Sequence, residues 1–365
     1  MRASDFYDLV SGRRRGAAAL LTRLGLLAAE GPYRAGVWWR NRFYDTRPQL
    51  THAAPAPVVS VGNLTLGGTG KTPMVRWVAQ RLREHGVRVA LVSRGYGADD
   101  GGPNDEALEL EQSLPDVPHL QNPDRVSAAT AAVEELAAEA IVLDDGFQHR
   151  RLVRDLDIVL VDATCPFGFG HVFPRGTLRE PFANVRRADV VCLTRSDQVE
   201  RPTCDNVRER VARHAPDAVW CESITRPARL IEALAGAGPY DEAACDVGPA
   251  ADLSGRRVVA VSAIGNPAAF RRTVESLGAR VVEAVEYPDH HRYTRDDIDR
   301  LSAVARSASA ETLVCTHKDL VKIGVPAVGD TPVRAVTIEV AFTVGEDALR
   351  ERLSRVACVA LANPE

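Results

Sequence analysis

A glycine-rich turn between an apolar run and a helical pattern constrains this chain more than any other part of its sequence. Residues 58–86 read VVSVGNLTLGGTGKTPMVRWVAQRLREHG. The β-branched run at 58–61 predicts a strand, and Val75, Val78 and Leu82 recur at helical spacing. Glycines in the turn let backbone N–H groups converge on an anion, and the start of a helix adds positive potential. The order strand, loop, helix therefore predicts a phosphate-binding P-loop.

Lys71 and Thr72 carry the predicted chemistry of this loop. In such loops the Lys ammonium reaches the β- and γ-phosphates, and the Thr hydroxyl is placed for Mg²⁺. Thr65 stands where the strict pattern has its first glycine. The chain has 45 basic residues but only three lysines, which favours a specific role for the compact ammonium of Lys71. We interpret the loop as a nucleoside triphosphate site, with a chance glycine-rich turn as the alternative.

Composition indicates a globular protein with reduced cysteines. With 365 residues and 45% hydrophobic content, the chain is long enough for two domains. Its seven cysteines are scattered without a CxxC pair, which indicates free thiols and gives no support for a zinc site. No internal repeat is present. We expect no nucleic-acid partner and no obligate protein partner.

A basic, amphipathic segment precedes the P-loop. Residues 1–50 carry nine arginines against four acidic residues. Residues 13–29 predict a helix that ends at Gly31-Pro32 and is too short to cross a bilayer. Its apolar stripe consists of Ala17, Leu20, Leu21, Leu24, Leu27 and Ala28, and Trp38 and Trp39 follow among arginines. The pattern favours a helix in the interface of an anionic membrane. A secretory signal and an amphipathic helix packed on the protein's own core are the alternatives.

An apolar strand that ends in two aspartates predicts the second half of the phosphate site. Residues 140–143 run into Asp144 and Asp145, as in a Walker B arrangement, where a carboxylate holds Mg²⁺ or its water. Further strands are predicted at 87–92, 157–161 and 190–193, which gives an open, mainly parallel α/β sheet. An arginine-rich loop at 174–181 either lies near the phosphates or is solvated surface.

The character of the chain changes after about residue 225. We predict a basic membrane-surface segment at 1–45, a P-loop domain at 46–225, an Ala-, Gly- and Pro-rich connection at 226–256, a smaller α/β domain at 257–340 and a terminal helix at 341–365, which could return to the P-loop domain. The smaller domain has predicted strands at 257–261, 280–285 and, as the last, 312–315. His290 follows Pro-Asp in a loop, where an imidazole could take a proton from an alcohol or simply lie on the surface.

Together, these motifs resemble those of the tetraacyldisaccharide 4′-kinase family over nearly the whole chain. They are VGNLTLGGTGKTP, SRGYG, DDGFQH, FGFG with PRGTLREP, AIGNP, PDHHRYT and THKDLVKI. The resemblance implies a P-loop kinase domain with a mainly parallel sheet flanked by helices, a second smaller α/β domain and an N-terminal amphipathic helix. It also makes Thr65 a family feature, because a small hydroxyl residue stands there in the family.

The resemblance implies a reaction and its location. The γ-phosphate of ATP is transferred, with Mg²⁺, to the 4′-hydroxyl of a tetraacylated glucosamine disaccharide 1-phosphate, which gives lipid IVA in lipid A biosynthesis. The lipid substrate implies a peripheral or monotopic protein at the cytoplasmic face of the bacterial inner membrane.

The resemblance also implies roles for individual residues. The triphosphate is expected at Thr65, Leu66, Gly67, Gly68, Thr69, Gly70, Lys71 and Thr72, with Arg125, Asp145, Gln148 and Arg179 beside it. Mg²⁺ is expected at Thr72, Glu106, Asp144 and Glu180. Catalysis is assigned to Asp105, which pairs with His290 to activate the sugar hydroxyl, and to Lys71.

The sequence departs from the family pattern in three places, and two alternative functions stay open. Asn104 and Ala107 stand where the family has Gly and Pro around the acid pair, the stretch between Tyr96 and Asp105 is short, and His317 replaces a Glu. The first alternative is a P-loop switch or metallochaperone-type NTPase that acts through a protein partner, and two TxxD loops at 194–197 and 316–319 support it. The second alternative is a P-loop ligase on a soluble substrate.

Overall fold

The chain folds into two units of mixed helix and strand. The computed structural model describes residues 3–95, 105–234, 244–265, 267–288 and 291–362. Unit 1 consists of Met1–Arg94, Val117–Thr225 and Val340–Glu365, and unit 2 of Gly95–Asp116 and Arg226–Glu339. Two long strands, β7 (Val219–Ala233) and β13 (Thr331–Val344), contribute residues to both units.

Unit 1 contains the P-loop and most of the parallel strands. Its helices are α1 (Ala3–Val10), α2 (Ala17–Thr46), α3 (Lys71–Glu84), α5 (Arg125–Glu134), α6 (Arg201–His214) and α10 (Glu346–Ala362). Its strands are β1 (Val58–Asn63), β2 (Val89–Ser93), β3 (His119–Gln121), β4 (Ala140–Asp144), β5 (Leu156–Asp162) and β6 (Val190–Thr194), together with the first part of β7.

The sheet of unit 1 is parallel throughout the described pairings. Its order is β7-β6-β5-β1-β4-β2-β3. Every residue of β1, β4, β5 and β6 is buried, as expected for parallel strands with helices on both faces. Because β1 lies between β4 and β5, the loops after these three strands meet at one edge of the sheet.

Unit 2 is a smaller α/β unit, so the predicted fold class is confirmed. Its helices are α4 (Asp105–Ser113), α7 (Pro267–Ser276), α8 (Arg295–Ser307) and α9 (His317–Ile323). Its strands are β8 (Ala244–Pro249), β9 (Arg257–Ser262), β10 (Arg280–Glu286), β11 (Thr312–Thr316) and β12 (Ala327–Val328), with parts of β7 and β13. Strands β10, β9, β11 and β13 are parallel in that order.

Helix α2 continues through Pro32, so the prediction that Gly31-Pro32 ends the helix is wrong. The helix runs unbroken from Ala17 to Thr46. Proline removes one backbone hydrogen bond and crowds the preceding turn. Here the residues on either side are fixed by tertiary contacts, since Glu30 and Tyr33 both bond to the segment 171–180. Packing on unit 1 therefore outweighs the local penalty.

Two stretches predicted as irregular contain strands. Residues 226–256, expected as a connection, include the second part of β7 and the antiparallel strand β8. Strand β13 follows residues 312–315, which were expected to be the last strand. The Ala, Gly and Pro content of 226–256 argues against strands. Leu230 is nevertheless fully buried in one apolar cluster and the adjacent Ile231 packs on another, so this part of β7 contacts apolar neighbours through consecutive residues.

The two units do not coincide with the predicted domains. Residues 1–45 and α10 belong to unit 1, and Gly95–Asp116 belongs to unit 2 although it lies within the predicted 46–225 domain. A division into two compact units does not test the five predicted segments, so their bounds stay a prediction.

We expect Gly62→Ala to destabilise the protein, because β1 and the loop after β4 approach each other at Gly62. A Cβ at this position would lie 2.6 Å from the Cβ of Phe147 and 2.7 Å from its backbone nitrogen. Overpacking of this kind costs about 1–3 kcal/mol. Gly25→Ala on α2, where a Cβ meets nothing within 4 Å, is the control and should stabilise by about 0.5–1 kcal/mol. Urea unfolding measures the stability of both variants. Equal unfolding midpoints for Gly62→Ala and Gly25→Ala would contradict the close approach at Gly62.

Candidate functional site

The glycine loop turns the chain from β1 into α3 at the edge of the unit 1 sheet. Gly67 has a φ of 106° and Gly70 a φ of 87°, in the left-handed region that residues with a Cβ rarely adopt. Gly70 caps α3, whose first residue is Lys71. The first N–H groups of a helix have no partner within the helix, so its start attracts anions. The loop predicted from the sequence therefore has the backbone geometry of an anion-binding turn.

Buried polar side chains hold Thr69 inside this loop. The Nδ2 of Asn63 donates to the Oγ1 of Thr69 at 2.8 Å. The Oγ1 of Thr194, the last residue of β6, donates to the Thr69 carbonyl at 3.0 Å. All three residues are buried. Thr69 is thus anchored both from β1 and from β6.

Arg195 holds the outer side of the same loop. Its Nη2 donates to the Gly68 carbonyl at 2.7 Å, and its Nη1 pairs with Asp162 at the end of β5. Asp162 also accepts the N–H and the hydroxyl of Thr164, at 2.9 and 2.7 Å. Arg195 has a φ of 55°. A residue with a Cβ keeps such a conformation only when its surroundings enforce it, so this arginine is fixed in place.

The short helix α1 contacts the loop from a third direction. The Tyr7 hydroxyl donates to the Leu66 carbonyl at 3.1 Å. A Cβ at Gly67 would lie 2.9 Å from that hydroxyl oxygen. The Tyr7 ring also meets Phe169 edge-on, with 5.9 Å between ring centroids. The positive φ favours glycine at 67, and its missing Cβ leaves room for the Tyr7 hydroxyl of α1.

The arginine-rich segment 174–181 lies directly against the chain that enters the loop. Thr65 pairs with Leu178 in an antiparallel bridge. The Leu66 N–H donates to the Thr177 carbonyl, and the Arg179 N–H donates to the Leu64 carbonyl, both at 2.7 Å. The pairing brings Arg179 beside the loop. Of the two interpretations of the segment 174–181, the structure therefore supports a position near the predicted phosphate site.

Asp145 gathers the positive groups at the start of α3. Its Oδ1 lies 3.6 Å from the Lys71 Nζ, and its Oδ2 lies 2.7 Å from an Arg179 nitrogen. The buried Arg125 donates from its Nη1 to the Asp145 carbonyl at 2.9 Å. The structure therefore brings together Lys71, Arg125, Asp145 and Arg179, which the sequence predicted as neighbours.

Electrostatics keep Asp145 ionised in this position. Burial alone would raise its pKa, but the Lys71 ammonium and the Arg179 guanidinium outweigh burial and hold the pKa of the carboxyl below its usual range. Asp145 also has a φ of 52°, a left-handed conformation that Asp tolerates better than most residues. Its carboxylate can thus hold two cations in fixed positions.

Asp144 ends β4 next to β1. It is buried and lies opposite Val61 in the parallel register. Thr72 is the second residue of α3. Both positions match the arrangement predicted for a metal-binding carboxylate and hydroxyl at the carboxyl edge of the sheet.

Protein donors surround Glu180, and its assignment as a metal ligand stays a prediction. Its side chain is fully buried. The Oε1 accepts from Gln148 at 3.0 Å and from Arg187 at 2.9 Å. The Oε2 accepts from Asn184 at 2.7 Å, Arg187 at 2.9 Å and Asn41 at 3.1 Å. Five N–H groups therefore occupy both oxygens, and a cation would have to displace them.

Gln148 connects this buried carboxylate to the loop. Its Nε2 donates to the Asn63 carbonyl at 2.8 Å as well as to Glu180. Its Oε1 accepts from Arg179 at 3.4 Å. Gln148 therefore lies beside the site, as predicted, and its contacts support the position of Arg179.

The predicted acceptor-side residues fall largely outside the described residues. Helix α4 begins at Asp105. The structure does not describe the side chains of Asp105 and Glu106, and His290 lies outside the described residues. Within the described ranges no group of three His, Cys, Asp or Glu side chains could hold a metal ion.

Helix α2 presents two different faces. Ala19, Glu30, Val37 and Asn41 are buried against unit 1. On the opposite face, large apolar side chains are between 46% and 68% exposed, namely Leu20, Leu21, Leu24, Leu27, Trp38 and Trp39. The apolar stripe is therefore not packed on the described part of unit 1, in contrast to the core-packing alternative. None of the helices that the structure describes has the length and hydropathy needed to cross a bilayer.

The inner face of α2 is tied to the segment that carries Arg179. Glu30 accepts from the Val172 N–H and contacts the His171 Nδ1, both at 2.9 Å. The Tyr33 hydroxyl donates to the Arg179 carbonyl at 3.0 Å. Helix α2 thus supports the backbone at Arg179.

Sequence reasoning missed several residues that shape the loop. Tyr7, Asn63, Thr194 and Arg195 contact it, yet none was assigned to the site. A signal existed for Thr194 and Arg195, because polar residues directly after a buried parallel strand lie at the binding edge. Tyr7 had no such signal, since its contact joins residues far apart in the chain.

The chain is similar to known proteins over most of its length. The family model described as "Tetraacyldisaccharide-1-P 4'-kinase" matches residues 22–357. A protein of Anaeromyxobacter sp. (strain K) named tetraacyldisaccharide 4′-kinase is 40% identical over 366 residues, which cover 95% of this chain and 94% of the relative. A protein of Geobacter sulfurreducens with the same name is 35% identical, and the match covers 93% of this chain and 95% of the relative.

A solved structure is similar as well. It is that of LpxK from Aquifex aeolicus, crystallised in complex with ATP. The two chains superpose with a TM-score of 0.72 at 29% identity, over 92% of this chain and 99% of that one.

We expect Arg195→Ala to weaken nucleotide binding more than it weakens the fold. Removing the guanidinium frees the Gly68 carbonyl and lets the loop sample other conformations, so the Kd for ATP should rise about tenfold. Arg208→Ala, on the exposed face of α6, is the control and should leave the Kd unchanged. Calorimetric titration gives the Kd and thermal melting the stability. A lower melting temperature with an unaltered Kd would contradict this role.

Proposed function

The chain belongs to the tetraacyldisaccharide-1-P 4′-kinase family, and we propose on this basis that it transfers the γ-phosphate of ATP to the 4′-hydroxyl of a tetraacyldisaccharide 1-phosphate. It is a kinase of lipid A synthesis. The observation that carries the proposal is the glycine loop with Lys71, Asp145 and Arg179 at its helical end.

The cations at the start of α3 suit phosphoryl transfer. The transition state is loose and spreads negative charge over the γ-phosphate oxygens, so catalysis consists mainly of positioning and charge stabilisation. Lys71 and Arg179 supply positive charge, and Asp145 fixes both in place before the nucleotide binds. Arg125 adds a further cation through its contact with the Asp145 backbone. We assign Lys71 to the β- and γ-phosphates and the two arginines to the surrounding charge.

The donor set at the end of β4 fits Mg²⁺. Thr72 offers a hydroxyl and Asp144 a carboxylate, and Mg²⁺ prefers such hard oxygen ligands while it keeps several waters. We assign these two residues to the ion, with Glu106 as a further ligand candidate. Bound there, the ion neutralises charge on the phosphate oxygens.

Activation of the acceptor is assigned to Asp105 and His290. An imidazole titrates near neutral pH and can take the proton of the sugar hydroxyl. A carboxylate beside it fixes the tautomer and stabilises the imidazolium that forms. Both residues come from motifs of the family, and the proposal rests on that membership.

The acceptor is a lipid, and the exposed face of α2 suits a membrane surface. Leucines on the first half of the face and two tryptophans on the second half would lie at the depth of the lipid headgroups. Arginines flank the face and favour anionic lipids. We propose peripheral association with the cytoplasmic leaflet of the inner membrane through this face.

The alternative of a switch NTPase has less support. One of its two TxxD loops ends in Asp319, which is fully buried and accepts hydrogen bonds from Ala263, Tyr293 and Thr316. A carboxylate in this position cannot contact a nucleotide base without leaving its site.

Labelled ATP distinguishes the two functions. With the tetraacyldisaccharide 1-phosphate in detergent micelles, we expect label in the lipid fraction for the full chain. Lys71→Ala should lower kcat by about 10²-fold or more, because transition-state charge loses a partner. Lys71→Arg should also be impaired, since a planar guanidinium does not replace a compact ammonium in a narrow loop. Unlabelled lipid combined with protein-stimulated GTP hydrolysis would favour the switch.

Substitutions on α2 test the membrane surface. Leu21→Gln with Leu24→Gln removes two exposed apolar side chains, so partition onto anionic vesicles should fall at least about tenfold. The matched control is Leu136→Gln with Leu234→Gln, at leucines that are both 44% exposed elsewhere. Vesicle sedimentation measures partition, and the Kd for ATP should stay constant in both variants. Equal partition of the two double variants would contradict a specific role of α2.

A further inference from the structure

The loop after β6 carries a TxxD motif to which the proposed function gives no role. The motif reads Thr-Arg-Ser-Asp over residues 194–197. Thr194 ends β6, and the next residues form one turn of 3₁₀ helix at Ser196–Gln198. The other TxxD loop ends in the buried Asp319, whereas Asp197 is exposed. Of the two loops, the one after β6 therefore presents its carboxylate to a ligand in solution.

This loop contacts the glycine loop directly. The Oγ1 of Thr194 donates to the Thr69 carbonyl at 3.0 Å, and the Nη2 of Arg195 donates to the Gly68 carbonyl at 2.7 Å. A Cβ at Gly70 would lie 4.0 Å from the methyl carbon of Thr194. The loop after β6 thus forms one wall of the predicted phosphate site.

The charges at the start of α3 indicate how a triphosphate would run across the glycine loop. Lys71, assigned above to the β- and γ-phosphates, lies 3.6 Å from Asp145 after β4. Strands β4 and β5 flank β1 on opposite sides, and β6 lies beyond β5. If the γ-phosphate lies toward β4 as proposed, the nucleoside at the other end of the triphosphate extends toward the loops after β5 and β6.

The guanidinium of Arg195 is fixed on this side of the site. Its Nη2 is bound to the Gly68 carbonyl, and its Nη1 pairs with Asp162 at the end of β5. The side chain nevertheless remains 35% exposed. A planar guanidinium that is held in place stacks well on an aromatic ring, and every nucleobase is such a ring. Arg195 therefore offers a surface for a base.

Asp197 lies two residues beyond this guanidinium. Among the residues that the structure describes, none forms a hydrogen bond or ion pair with its carboxylate. The turn that carries it is ordered, because the Gln198 N–H donates to the Arg195 carbonyl at 3.0 Å and the Ser196 hydroxyl donates to the Ser223 carbonyl at 3.3 Å. An ionised carboxylate only accepts hydrogen bonds, so Asp197 suits a ligand that presents an N–H donor.

We propose that the loop after β6 is the nucleoside subsite, in which the base lies against the Arg195 guanidinium and its exocyclic amino group donates to Asp197. The inference rests on the proposed binding of ATP at the glycine loop, and adenine carries the required amino group. Asp197 is then a residue that determines specificity for the base, while Lys71 and Arg179 serve the phosphates. The TxxD motif at 194–197 thereby has a role within a kinase and does not require a switch function.

Removing the amino group from the ligand tests this contact. Purine riboside 5′-triphosphate has the ring, ribose and triphosphate of ATP but lacks the amino group. We expect the full chain to bind it about tenfold more weakly than ATP, the effect of losing one hydrogen bond to a charged group. In Asp197→Ala the Kd for ATP should rise about tenfold, and the Kd values of the two nucleotides should agree within a factor of two. Calorimetric titration in the presence of Mg²⁺ measures all four values.

The ratio of the two Kd values isolates the amino group from general charge effects. Removing a carboxylate near a triphosphate changes the electrostatic attraction for both nucleotides alike, so this effect cancels in the ratio. Equal Kd values for the two nucleotides in the wild-type chain would overturn the proposed contact. A tenfold ratio that persists in Asp197→Ala would overturn the assignment to Asp197.

Asp217→Ala is the matched control. Asp217 is also exposed, and it lies just before β7, at the amino edge of the unit 1 sheet. The substitution removes the same charge from the same unit, so we expect the tenfold ratio to remain. A ratio near one in both variants would overturn a specific role of Asp197.

Inorganic tripolyphosphate separates this inference from the proposed function. It has no nucleoside, so its Kd should agree within a factor of two between the wild-type chain and Asp197→Ala. A loss of tripolyphosphate affinity as large as the loss of ATP affinity would overturn the base contact in favour of a disturbed glycine loop. A wild-type chain that binds neither ATP nor tripolyphosphate would instead contradict the proposed phosphate site, and the inference with it.

Discussion

The ion pairs of Asp145 organise the phosphate site of unit 1. Like charges repel, so a lysine and an arginine aimed at the same small volume need a counter-charge in the free protein. Asp145 supplies it with one oxygen near each cation, and its backbone carbonyl binds Arg125. Asp145 makes these contacts from a left-handed backbone conformation. In the proposed function the negative phosphates meet cations that are already in position.

The loop and the proposed membrane helix share one structural support. The segment 171–180 pairs with the chain before the glycine loop and carries Arg179 to Asp145. The inner face of α2 binds the same segment through Glu30, Tyr33 and Asn41. A change in the seating of α2 would therefore be felt at Arg179, while its outer face remains available to a lipid surface. If α2 lies on a membrane as proposed, this arrangement gives a physical reason for a lipid kinase to place such a helix directly beside its nucleotide loop.

The parts of the structure that the sequence predicted are those set by local pattern. The strand–loop–helix unit around Lys71 and the strand before Asp144 follow from short-range periodicity and glycine placement. Pro32 and the strands within 226–256 were misjudged, because tertiary burial decides there against local propensity. Contacts such as Tyr7 with Leu66 join residues far apart in the chain. No pattern in a single sequence encodes such a distance, so these residues had to come from the structure.

The partners of Glu180 and Asp319 differ from those of Asp145, the carboxylate that we propose to order the cations of the phosphate site. Glu180 and Asp319 are both fully buried, and N–H or O–H donors occupy both oxygens of each. A buried charge is tolerated only with such a complete set of partners, and removing one partner is costly. These carboxylates therefore act by holding loops. Asp145 is partly exposed and contacts side-chain cations that a phosphate can share. The same chemical group thus holds the scaffold where protein donors occupy both oxygens, and in the proposed function it orders cations where a phosphate can share them.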